Sequence, residues 1–137
     1  MHFEDGFHLV VKRDCPTCTL IEPEIRKLVE SGDFGQNLRI YIQDDPSYLS
    51  DLSQSVSDAS LESSYRLKIE TVPTLIRFEK GEETSRSVGW VREEWSQLLN
   101  DSMFGEHLPE SRPGCGSLTV MPGVKETLGA RIGDLPL

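Results

Sequence analysis

The sequence predicts an α/β domain: a mixed central sheet flanked by helices, with a C-terminal extension. Three observations predict it. Short apolar runs alternate with stretches of helical periodicity, two runs flank Lys80-Gly81 as a β-hairpin, and all patterning breaks down past residue 105.

The first element is a buried strand over Phe7 to Arg13, followed by Asp14 and the motif Cys15-Pro16-Thr17-Cys18. Leu20, Ile21, Ile25, Leu28 and Val29 recur at helical spacing, and Ser31-Gly32 supplies a stop. Pro16 suits the first helical position, where the missing N–H costs nothing. Pro23 lies inside the pattern and predicts a kinked or split helix. Leu38 to Ile42 reads as the second strand. Residues 46 to 64 are rich in Ser and Asp and predict a polar loop with one short helix. Leu61, Tyr65 and Leu67 suit a helix end returning to the core. Thr74 to Phe78 and Thr84 to Val88 form the hairpin arms, and Val91, Trp95, Leu98 and Leu99 a last amphipathic helix. The expected order is β-α-β-α-β-β-α. Residues 1–105 are read as the domain and 106–137 as an extension or linker, with one short helical stretch near Val124 to Ile132.

With 137 residues the chain can bury one core. Acidic residues exceed basic ones by nine, which argues against nucleic acid or an anionic membrane as partner. No apolar run approaches the ~18 residues of a membrane span. The opening Met1-His2-Phe3-Glu4-Asp5-Gly6 has no basic region followed by an apolar stretch, so no signal peptide is expected. An odd count of three cysteines is unlike a disulfide-dense secreted scaffold and predicts a cytoplasmic protein that cycles its thiols.

Two thiols at a strand-to-helix turn suit reversible disulfide chemistry or a soft metal. A cysteine at a helix N-terminus faces unpaired N–H groups and the positive end of the dipole, which favour thiolate. Cys15 is so placed and would attack a disulfide; Cys18, one turn in, would resolve the mixed intermediate. Lys12 and Arg13 support the thiolate and Asp14 opposes it. A structural zinc pair would need four ligands, and Cys115, His2, His8 and His107 are not paired at ligand spacing. No metal and no organic cofactor is therefore expected.

Further signals follow in register. Pro23 lies eight positions after Cys15, and Gly81 and Gly89 follow Val72-Pro73-Thr74 at eight-residue intervals. On these features residues 7–103 resemble the thioredoxin superfamily. The resemblance implies a thioredoxin fold, with Cys15 as nucleophile, Cys18 as resolving thiol, Pro73 as the family's cis-proline and Val72 presenting backbone to a substrate strand. Thr17, inside the motif, and Trp90, after Gly89, join them as substrate-facing candidates. The implied partners are protein disulfides and an electron-donating reductase.

The chain departs from the family in three places. Asp14 stands where thioredoxins have Trp, Pro16-Thr17 replaces Gly-Pro, and Leu9 occupies the position of the buried acid. Cys-Pro-x-Cys with Lys12 three residues before it is also similar to glutaredoxins, although their Gly-Gly-x-x-Asp is missing. A glutathione-dependent reductase is thus one alternative, and a non-catalytic thioredoxin-fold binding module another.

The Pro46 to Ser64 stretch is about a dozen residues longer than the thioredoxin connector and is a candidate partner-selecting rim, with Asp44, Asp45 and Tyr48 near the dithiol. Cys115, between Gly114 and Gly116, reads as exposed and conformationally free. It is a candidate accessory thiol exchanging with Cys15, and the extension is a candidate dimer contact.

Overall fold

A computed structural model describes residues 3–31 and 37–132. Its centre is a five-strand mixed sheet in the order β3-β2-β1-β5-β6. The central strand β1, Gly6–Val11, is buried along its whole length. That is why its sequence is nearly continuous in apolar residues rather than alternating. The exception, His8, is neutralised by geometry. Its Nε2 lies 2.7 Å from the Glu4 carbonyl and its Nδ1 2.8 Å from the Tyr41 hydroxyl, so Nε2 carries the proton and Nδ1 accepts one. Burial lowers the His8 pKa, in keeping with a neutral ring.

On one side β1 pairs in parallel with β2, Leu38–Ile42, with Phe7 opposite Leu38 and Val11 opposite Ile42. On the other it pairs antiparallel with β5, Thr74–Glu79, which turns into β6, Glu82–Val88. The turn residues Lys80 and Gly81 have φ of 54° and 79°, the conformation that a tight hairpin demands. Asp5 holds the turn by accepting both of its N–H groups at 2.9 Å.

Helix α1 spans Pro16–Ser31 without a break, so Pro23 does not split it. Cys18 and Ile21 on one side of the proline and Ile25 on the other are all buried. This anchorage outweighs the roughly 3 kcal/mol that an interior proline costs. The expected stop at Gly32 lies outside the described residues.

The polar stretch contains more structure than its composition suggests. Ser55–Ser57 forms β3, a parallel edge strand on β2, and Leu49 is buried with φ 57°. Helix α2 follows at Glu62–Arg66. Asp58 accepts the N–H groups of Ser63 and Ser64 and the Ser64 hydroxyl, at 3.0, 2.9 and 2.6 Å.

Two short strands, β4 (Thr71–Val72) and β7 (Trp90–Val91), lie at the ends of β5 and β6, and α3 spans Arg92–Leu99. Trp90, Trp95 and Phe104 form one aromatic cluster with ring centroids 5.3 to 6.1 Å apart. Both indoles are fully buried and both N–H groups are satisfied, Trp95 by Gly89 O and Trp90 by Pro109 O.

The extension folds back as a strap across these strands. Ser111–Arg112 (β8) pairs antiparallel with β7, and Cys115–Gly116 (β9) pairs antiparallel with β4. A 3₁₀ turn at Leu118–Val120 and helix α4, Val124–Ile132, complete it, with Leu128 buried. Gln43 fastens the strap from inside. Its buried amide donates to Ser64 Oγ at 2.9 Å and Ser117 Oγ at 2.7 Å and accepts the Leu118 N–H at 2.9 Å. Gln43→Leu takes away the partner of the Leu118 N–H and one bond each from Ser64 Oγ, which still donates to Asp58, and Ser117 Oγ, which still meets Thr119. It is expected to lower stability by about 2–4 kcal/mol, read from the urea midpoint.

Candidate functional site

The turn that carries the cysteines is set from below by Asp44. Its carboxylate accepts the N–H groups of Arg13 and Asp14 at 2.8 and 2.9 Å. Burial pushes the Asp44 pKa up, but these N–H groups outweigh it and the net direction is down. Arg13 also pairs with Asp45 at 2.7 Å.

Cys15 then takes the N-cap position of α1. Its carbonyl accepts the Thr19 N–H at 3.0 Å, the first bond of the helix. Its Sγ accepts the Cys18 N–H at 3.2 Å, as a capping oxygen would. Across the gap, the protonated thiol donates to Val72 O at 3.7 Å. The Val72–Pro73 peptide bond is cis, and Gly89 N–H donates to Pro73 O at 2.8 Å.

The two thiols of the motif are made unlike. Cys15 is brought down to about 5, first by the Cys18 thiol, against the opposing effect of burial, then by the Cys115 thiol and the N–H groups of Cys18 and Thr17. Cys18, with no exposed surface, is pushed up strongly by burial and by its bond to Cys15. An ionised sulfur beside a neutral one lets the first attack while the second waits protonated. The sign of the pH dependence follows. Thiolate is present above about pH 5 and is lost as pH falls through it. Alkylation of Cys15 by iodoacetamide, followed by mass spectrometry, should titrate with a midpoint near 5 rather than the ~8.5 of a free cysteine. Cys115→Ala should move that midpoint up, because one thiol donor is lost.

Cys15, Cys18, Thr17, Val72 and Pro73 come together, and Cys115 joins them. Cys115 stands directly opposite Val72 in the β4–β9 pair, near enough to Cys15 that its thiol helps to lower the Cys15 pKa. It is half-buried and held in a strand, not exposed and free as the flanking glycines suggest. The first of those glycines serves close approach. A Cβ on Gly114 would overlap Val72 O and crowd Thr71 Cγ2. Thr17 also serves the strap, donating its hydroxyl to Pro113 O at 2.6 Å, and Lys12 Nζ donates to Gly116 O at 2.7 Å. Trp90 lies fully buried, with its indole N–H bonded to the extension, so its ring lines no groove.

Tyr48 is half-buried beside the dithiol. Burial first, then Glu22 and the two sulfurs, pushes its phenol up. Gly114 and Gln43 are the positions that sequence reasoning missed. The Pro113-Gly114-Cys115-Gly116 run carried the signal for the first. A polar residue at the end of an apolar strand was the only sign of the second.

Among the described residues no group of three or more His, Cys, Asp and Glu is arranged to hold a metal ion, and no helix is long and apolar enough to cross a membrane. No protein-family model and no curated protein matches the chain.

Proposed function

We propose that the protein is a thiol–disulfide oxidoreductase acting on protein disulfides, with a thioredoxin-like arrangement of sheet and dithiol. The observation that carries this reading is the asymmetric pair: Cys15 Sγ capping α1 by accepting the Cys18 N–H, and Cys18 fully buried one turn later, an arrangement that lowers the first pKa and raises the second. The strand order, with a parallel β2 and an antiparallel β5 flanking β1, supports the thioredoxin likeness, as does the cis bond before Pro73 opposite Cys15.

The reaction has two steps. Cys15 Sγ attacks one sulfur of the substrate disulfide, forming a mixed disulfide and releasing the other sulfur as a thiolate that takes up a proton. A second thiol of the protein then attacks Cys15 Sγ. The substrate leaves reduced, and the protein leaves oxidised by two electrons. An electron-donating dithiol returns it to the starting state.

The edge of β4 gives the substrate its seat. Val72 already accepts a strand there, that of the strap, which supports an extended segment as the shape the site takes. Lys12, which would hold glutathione in a glutaredoxin-like enzyme, is engaged with the strap carbonyl of Gly116. The Gly-Gly-x-x-Asp that would complete a glutathione site is missing from the sequence, which favours a protein strand over glutathione.

The test is the reduction potential of the Cys15–Cys18 couple, by equilibration against graded thiol buffers. A stabilised thiolate favours the reduced form, so the potential should lie above the roughly −270 mV of thioredoxin. A pair that does not cycle would leave the fold as a binding module only.

A further inference from the structure

Three thiols converge at the site, whereas the two-step exchange needs only two. The third arrives on the strap, and the way it arrives gives it a role. Cys115 is the cross-strand partner of Val72, whose carbonyl receives the Cys15 thiol. The strap therefore brings a sulfur to Cys15 along the same edge that a substrate strand would occupy. Strap and substrate cannot sit there together.

We propose that Cys115 is a resolving thiol: the returning strap displaces the substrate strand from the β4 edge and its sulfur cleaves the mixed disulfide on Cys15. The proposal rests on the oxidoreductase reading above. In this step the Cys115 thiolate attacks Cys15 Sγ, and a Cys15–Cys115 disulfide forms. The bond from Cys15 to the substrate sulfur breaks, and the substrate thiolate takes up the proton that Cys115 gave. No electron leaves the pair of reactants, and no further reagent is needed.

Two features favour Cys115 over Cys18 for this step when the strap closes. Cys18 has no exposed surface and lies a full turn inside α1, so a base from solvent cannot reach its proton. Cys115 is only partly buried, so a base from solvent can reach its proton; burial first and then the Cys15 sulfur raise its pKa, and the Lys12 ammonium that binds Gly116 O works against that rise. The strap is aligned by bonds on both sides of the cysteine: Thr17 Oγ1 to Pro113 O at 2.6 Å before it and Ser117 N–H to Glu70 O at 3.0 Å after it. Its return thus delivers the sulfur in a fixed register.

The experiment treats Cys18→Ser with excess Ellman's reagent and maps the product by non-reducing peptide mass spectrometry. Each thiol that attacks the reagent or a thionitrobenzoate adduct releases one thionitrobenzoate. Cys18→Ser is expected to release two equivalents, retain no adduct and hold a Cys15–Cys115 disulfide. Cys18→Ser/Cys115→Ser should release one equivalent and keep a stable adduct on Cys15. In insulin reduction driven by a dithiol, Cys18→Ser should keep turnover within about tenfold of the unmodified protein, and the double variant should lose it.

An adduct that persists on Cys15 in Cys18→Ser, with Cys115 either free or separately labelled, would overturn the proposal and leave the oxidoreductase reading intact, provided the unmodified protein reduces insulin. An unmodified protein that neither releases thionitrobenzoate from Cys15 nor reduces insulin would overturn both.

Discussion

Cys15→Ser is expected to abolish reduction of protein disulfides, by three orders of magnitude or more at roughly neutral pH. A hydroxyl in place of the thiolate still accepts the Cys18 N–H and caps α1, so the fold should survive. The variant's thermal unfolding should match that of the unmodified protein, which separates lost chemistry from lost structure. The size of the effect follows from the division of labour. Cys18 is too deeply buried to meet a substrate, and Cys115 has its proposed role only against a disulfide already formed on Cys15. Insulin reduction with a regenerating dithiol is the readout. A variant that still bound a partner strand without turnover would also show that the β4 edge works independently of the sulfur. Turnover that survived the substitution would sink the enzyme reading and favour the binding module.

Gly114→Val should have the opposite effect on access. The backbone of residue 114 passes so close to Val72 O that any Cβ overlaps it, and a branched side chain would also strike Thr71. The strap must then lift from β4, while Gln43 continues to hold Ser117 and Leu118. Amide hydrogen exchange should lose protection at Val72, Cys115 and Gly116 and keep it at β1 and β2. Attack of Cys15 on a bulky protein disulfide, measured in a single turnover, should quicken on the order of tenfold, the factor by which a strap docked about nine-tenths of the time would dilute the open form. A small reagent such as Ellman's should gain less, since it needs no strand on the edge. Unchanged protection at Val72 would mean that the strap tolerates the side chain and that the close approach is dispensable.

The sheet and the dithiol were legible because each left a periodic or spaced signal. Continuous apolar residues marked β1, a Lys-Gly turn marked the hairpin, and the cysteine spacing at a strand-to-helix junction marked the N-cap of α1. The 46–64 stretch was less legible, since β3 carries a single apolar residue, Val56, and is held by backbone pairing to β2 and by bonds from Ser55 to Leu49 O and Leu52 O. The split suggested by Pro23 is absent for a different reason. A local penalty was visible in the sequence, but the burial of Ile21 and Ile25 on either side of it was not. The strap was the hardest to foresee. Its strands are two residues each, and the glycines beside Cys115 read as freedom, whereas the use of Gly114 is close packing. Short pairings of this kind have no period, and only the tertiary partners, Val72 and Trp90, reveal them.

The strap is part of the same chain as the edge it covers, and this sets the terms on which anything else can enter. The tether from the end of α3 at Leu99 to Cys115 is short, so the strap presents itself to Val72 at an effective concentration of about a millimolar or more. A free protein at micromolar levels is outnumbered roughly a thousandfold at its own docking place. Casual encounters with extended polypeptide are thereby filtered out. On the oxidoreductase reading proposed above, only a client whose strand binds the edge well, or whose disulfide is reactive enough to be caught during a brief opening, displaces the resident segment. Selectivity here is a contest between an internal and an external ligand, and its threshold is fixed by the length of the tether.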